Sequence, residues 1–194
     1  IPSSFQTRFF LMKCLTLSLL MLTLGPLSGC AREPPPAAVA VPTIPMSEWE
    51  AKLQAVRTGD STRIVVDDLP VTAEQLAQLP SVEESLRQLE LDQSLVSAEV
   101  LRQTIPELKH LERLKLNGPV SDADLKVIGT LPNPEILNLP WAEITDPGLD
   151  ALRDHPTLNF LRLRAPRVTD AGLGTISQVP KLRFLHLIDV PITD

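Results

Sequence analysis

The chain has no tyrosine, five phenylalanines and two tryptophans in 194 residues, which excludes a core built on large aromatic rings. Hydrophobic residues still make up 43%, so the core must be aliphatic, which suits repeated layers of Leu, Val and Ile. Cysteine is equally scarce. Cys14 and Cys30 are the only two and both lie near the N-terminus, so the rest of the chain can hold no disulfide. Cations are outnumbered, 18 Lys and Arg against 24 Asp and Glu, for a net charge of −6. This argues against nucleic acid as a partner, since phosphate binding needs concentrated positive charge. His110, His155 and His186 lack metal-ligand spacing. There is no phosphate-cradling glycine loop and no nucleophile motif. An enzyme, a cofactor, a metal site and a small-molecule substrate are therefore not expected.

Proline, in contrast, is plentiful at nineteen, and five of these fall between Ala31 and Pro45. Before them, Arg8 and Lys13 precede an apolar run, Cys14 to Leu27, that closes on Leu27-Ser28-Gly29-Cys30. A charged start, a short apolar stretch and small residues are the parts of a secretory signal. The four-residue ending resembles the lipobox of bacterial lipoproteins. That resemblance implies cleavage before Cys30 and a lipid on its thiol, with residues 1–29 as signal peptide and Met12 as a candidate true start. Loss of Arg8 and Lys13 would take the net charge to −8. Two or three acyl chains would hold the protein stably on a membrane, where a single one binds only marginally. The expected location is the cell envelope, exported and lipid-anchored. Ala31, where an Asp would favour the inner membrane, points by the same resemblance to the outer one. The alternative is an uncleaved anchor over Phe9 to Leu27, interrupted by Lys13, where a span wants about 20 apolar residues. Residues 30–46 then read as an extended tether, because five prolines exclude a helix; an SH3-type ligand is the other reading.

Ser47 and Glu50 predict a capping box opening a helix to about Arg57, with Trp49, Leu53 and Val56 on one apolar stripe. A strand follows at Arg63–Asp67. Residues 47–70 read as an N-terminal cap over the units beyond.

From residue 71 a phrase recurs. Val120-Ser121-Asp122, Ile144-Thr145-Asp146, Val168-Thr169-Asp170 and Ile192-Thr193-Asp194 lie 24 residues apart, and Val96-Ser97-Ala98 and Val71-Thr72-Ala73 are weaker copies. Each unit also carries Leu-x-Leu: Leu89/Leu91, Leu114/Leu116, Leu137/Leu139, Leu161/Leu163 and Leu185/Leu187. A fixed period of 20–50 residues marks a solenoid. Alternation sends both leucines inward. The Val or Ile of the phrase enters the core, the Ser or Thr caps a helix and the Asp complements its dipole. Thr72 with Gln75, and Ser121 with Asp124, extend this to capping boxes. Leu76/Leu79, Leu101/Ile105, Leu125/Ile128, Leu149/Leu152 and Leu173/Ile176 supply buried helix faces, and Pro80, Pro106, Pro132, Pro156 and Pro180 end the helices.

This pattern, with Ile-Thr-Asp-x-Gly-Leu at 144–149, resembles the leucine-rich repeat family, in the wording found in F-box subunits and bacterial surface proteins. The resemblance implies an α/β solenoid over residues 71–194: a right-handed superhelix, parallel strands on the concave face, short helices on the convex face, five complete repeats and a sixth cut short. The family's Asn or Cys after the second Leu is replaced by Ser94, Pro119, Ala142, Pro166 and Val190, and nothing F-box-like precedes the repeats. Ligands of the family often bind the concave face. Its outward residues here include Gln88, Glu90, Arg113, Lys115, Asn138, Phe160, Arg162, Arg164, Phe184 and His186. Phe160 and Phe184 should be strand neighbours about 4.8 Å apart, and beside Arg162 and His186 they have the composition of a protein-binding hot spot. The bland alternative is lateral ring packing with solvated charges.

The function expected is a scaffold binding an unknown protein or peptide. A spacer without a ligand, or an accessory domain of a longer protein, are the alternatives. The phrase breaking off at Asp194, with Leu185, Leu187 and Ile192 then facing solvent, predicts a fragment of a longer product; a partner covering that end is the alternative.

Overall fold

The alternating leucines do form strands, because period-two burial buries every second side chain of an extended chain. The computed structural model describes residues 42–67, 69–92 and 98–191. Its strands are β1 (Arg63–Val66), β2 (Gln88–Asp92), β3 (Arg113–Asn117), β4 (Ile136–Leu139), β5 (Phe160–Arg164) and β6 (Phe184–Ile188). All pair in parallel in sequence order, as one six-stranded sheet. Helix α1 (Met46–Arg57) precedes β1. Helices α2 (Ala73–Leu76), α3 (Ala98–Thr104), α4 (Asp122–Ile128), α5 (Asp146–Leu149) and α6 (Asp170–Ile176) occupy the successive crossovers. The protein is thus an α/β chain that steps one way, strand by strand. Among the described residues no helix is long and apolar enough to cross a membrane.

Parallel register stacks equivalent leucines, Leu89 on Leu114 on Leu137 on Leu161 on Leu185. Those of β2 to β5 are fully buried, and with Val71, Val120, Ile144 and Val168 of the phrase they form one continuous aliphatic core. Leu185 is 43% exposed, on the edge strand. Just before each of β2 to β6, one carbonyl of the preceding unit accepts two consecutive N–H groups; Glu112 O receives those of Glu135 and Ile136 at 2.7 and 3.0 Å. Trp49, Leu53 and Val56 of α1 are buried, as the apolar stripe predicts.

Two local expectations change. Helix α1 starts at Met46, and the Ser47–Glu50 capping box does not form. Pro45 holds the N-cap at φ −58°, ψ 141°, and its carbonyl accepts from Glu48 and Trp49. Ser47 therefore lies inside the helix, where its hydroxyl does not face the orphan amides. Pro80 and Pro106 do sit beyond α2 and α3, as expected. They open 3-10 turns, Leu79–Val82 and Ile105–Glu107, where a missing N–H costs nothing. Leu101 and Leu173 are only partly buried.

The recurring phrase is satisfied in two ways. Thr72 with Gln75, and Ser121 with Asp124, form complete capping boxes. Thr145 makes no cap bond within its own helix. Instead its N–H and hydroxyl donate to Asp122 of the preceding unit, at 2.9 and 2.5 Å. Thr169 donates likewise to Asp146 at 2.8 and 2.7 Å, and its oxygen also accepts from Ala171 N–H. The Asp is therefore a bracket between units as well as a dipole partner. Gly148 and Gly172 follow from it, because a Cβ on either would fall onto the carboxylate of Asp122 or Asp146. Hydrogen bonds from Thr169, against some desolvation, hold the Asp146 carboxyl below the usual carboxylate range. The expected signal peptide, Cys30, the Pro-rich tether up to Val41, Ser94, the Val96-Ser97 phrase and Ile192–Asp194 lie outside the described residues.

Candidate functional site

The non-core face of the sheet carries every second strand residue in straight rows. Gln88, Arg113, Ile136, Phe160 and Phe184 align as one row, and Glu90, Lys115, Asn138, Arg162 and His186 as the next. A third ends on Arg164 beside Ile188. All ten expected surface residues thus lie on this face, half-exposed or exposed.

The two ends of the face differ in chemistry. Over β2 and β3 the second row meets its opposites. Lys115 Nζ lies 3.2 Å from Glu90 and 3.6 Å from Asp67, and Gln88 donates to Glu90 at 2.5 Å. Charge in the second row is therefore compensated across neighbouring strands. Over β4 to β6 the first row turns apolar. Phe160 and Phe184 stand with ring centroids 6.3 Å apart and tilted by 39°, within the range of favourable aromatic pairs. Phe184 is 63% exposed. Arg164 Nε donates to Asp189 at 2.8 Å. Arg162, between Asn138 and His186, has no ion pair among the described residues. Its Nε and the Oδ1 of Asn138 are both buried without a hydrogen-bond partner. An open hollow of about 520 Å³ lies beside Phe184, with Glu135, Asn159 and Arg183 in its wall.

Sequence reasoning missed three residues. Trp141 is 58% exposed in the loop after β4; its signal was a large ring directly after Pro140, off the repeat's apolar positions. Asp189, at φ 53°, compensates Arg164. His155, considered above only for metal spacing, is buried. Its Nε2 lies 3.1 Å from the Leu131 carbonyl, and its Nδ1 has no partner. Burial pushes its pKa down, and the Leu131 bond offsets part of that.

Among the described residues no group of three His, Cys, Asp or Glu gathers closely enough to hold a metal ion. The β4–β6 half of the face presents an aromatic pair, a guanidinium without an ion pair among the described residues, and an amide. No protein-family model matches the chain, and no curated protein matches it.

Proposed function

We propose that this chain is a leucine-rich repeat scaffold that binds a protein or peptide on the concave face of a right-handed solenoid. The observation that carries this is the β4–β6 half of the sheet face, where Phe184 is 63% exposed against Phe160 and Arg162 has no ion pair among the described residues. Exposed aromatics beside an arginine are the composition of interface centres. The 24-residue phrase and Leu-x-Leu support the family reading. The Arg8–Cys30 segment supports export, lipid on Cys30 and a place in the cell envelope.

A photo-crosslinking residue at Phe184, compared with one at Lys126 on α4, tests the face. In membranes of the source cell, Phe184 should yield one discrete adduct that the purified partner reproduces, while Lys126 yields none. Equal labelling from both positions would refute it. Intact mass of the membrane-extracted protein tests the anchor, and an unmodified N-terminus would refute acylation.

A further inference from the structure

Resting on that assignment of the sheet face, we infer that its occupant is an acidic peptide segment, held by a carboxylate on Arg162 and an apolar side chain on the Phe160–Phe184 pair. The other Lys and Arg of the second and third rows already have carboxylates: Lys115 has Glu90 and Asp67, and Arg164 has Asp189. Arg162 has none among the described residues, and its Nε is withdrawn from solvent and unsatisfied. A buried donor left unmade carries a desolvation cost, and a carboxylate is the group whose fork matches a guanidinium.

The facing Asn138 decides between a peptide and a simple anion. Its Oδ1 is a buried acceptor without a donor, next to Arg162 in register. Both atoms are covered in the free protein, so the occupant must turn the two side chains outward; a peptide then brings both missing groups, a carboxylate for Arg162 and a backbone N–H for Asn138, and a phosphate only the first.

Geometry adds a spacing. The Phe160–Phe184 row and the Arg162–His186 row are two residues apart along each strand, about 6.7 Å. Residues i and i+2 of an extended peptide lie the same distance apart on one side. The segment should therefore place Asp or Glu two positions from Phe, Leu, Ile or Met.

Panning a displayed library of random linear peptides on the full chain tests this, followed by anisotropy titration of a fluorescein-labelled synthetic winner. Winners should carry an acid and an apolar residue two positions apart. Arg162→Gln should weaken the labelled peptide about tenfold or more, and Arg162→Lys less. Phe184→Ala should weaken it without changing the demand for an acid. Repanning on Arg162→Glu should replace the acid by Lys or Arg. Circular dichroism melts confirm that each variant folds; should Arg162→Gln not fold, the Arg162→Lys titration and the spacing among winners decide. Winners that need Phe184 but lack an acid, or ignore Arg162, overturn the inference and leave the face assignment standing. Winners insensitive to both residues, or no winners, overturn both. A dimer seen by sedimentation of the protein alone and abolished in Arg162→Glu would assign the face to a second copy, and would also overturn the inference.

Discussion

Thr72 and Ser121 begin their helices with partners from their own first turn, whereas Thr145 and Thr169 begin theirs with a carboxylate from the unit before. The difference traces to one position. Ala98 precedes the Ser121 unit and offers no acceptor, so Asp124 closes a box at home, with Arg102 of α3 bonded to it at 2.8 Å. Asp122 and Asp146 do offer one. The place held by Gln75 or Asp124 in the boxed units is then occupied by Gly148 or Gly172, which leave room for the incoming carboxylate. The Thr72 and Ser121 units are thus capped locally, Thr145 is held by its neighbour, and Thr169 is held by its neighbour and also accepts from Ala171 in its own helix. A side chain in one unit decides which residue the next unit tolerates.

The sharpest way to break this contrast is Gly172→Ala. The added methyl would meet Asp146, Val168 and Leu149, and overpacking of this kind costs about 2–3 kcal/mol. Urea unfolding should show that loss, and Asp146→Ala in the same chain should recover much of it, since contacting residues do not act additively. Strict additivity would mean that the carboxylate is not what the glycine accommodates.

Next in size is Asp122→Ala. It strips both acceptors from Thr145 and should cost about 1–2 kcal/mol. Adding Gly148→Asp to it should restore part of the stability by building a box like that of Ser121; a double variant less stable than the single one counts against interchangeable caps. Gln75→Ala removes a local box and should cost about 1 kcal/mol, with no effect reaching the later units by hydrogen exchange.

Protonation separates the two regions more gently. The Asp146 carboxyl is held below its ordinary 3.8 chiefly by Thr169. Its contribution is complete above that value and is lost as pH falls through the lower folded one, so exchange protection of α6 should fade in acid before that of α2. His155 behaves differently. It replaces the aliphatic residue found at Leu131 and Val179, and burial disfavours its charged form. The unfolded chain takes up its proton from about 6.5 downward, so stability should decline as pH falls below that. His155→Leu should remove this slope while changing neutral-pH stability by about 1 kcal/mol or less. A slope unchanged in the variant would assign it to another group. The smallest effect is expected at Trp141→Ser, within about 0.5 kcal/mol in thermal melts, because that ring is mostly in solvent.

Much of this was legible in the chain. Leu-x-Leu placed all of β2 to β6 and the inward face, since burial with period two leaves no other register. The ten outward residues followed from the same alternation, and so did the contact between Phe160 and Phe184. The Ser47 box was misread because Pro45 and Ser47 both signal a helix start, and the fixed backbone of proline prevailed. The Thr-Asp phrase was read as capping within one helix, since spacing along a chain does not reveal which unit a side chain reaches. Trp141 and His155 were passed over because they break the repeat, and a repeat is recognised by what conforms to it.

By itself, then, the sequence determined the period, the alternation and the identity of each face, because these depend on hydrophobic pattern and local backbone preference. Only the tertiary structure decided the bonds between units: Asp122 on Thr145, Asp146 on Thr169, Glu90 and Asp67 on Lys115, and, among the described residues, no carboxylate on Arg162. Such pairings depend on distances of a few ångströms between residues some 20 to 50 positions apart, and the stacking of strands brings those residues together.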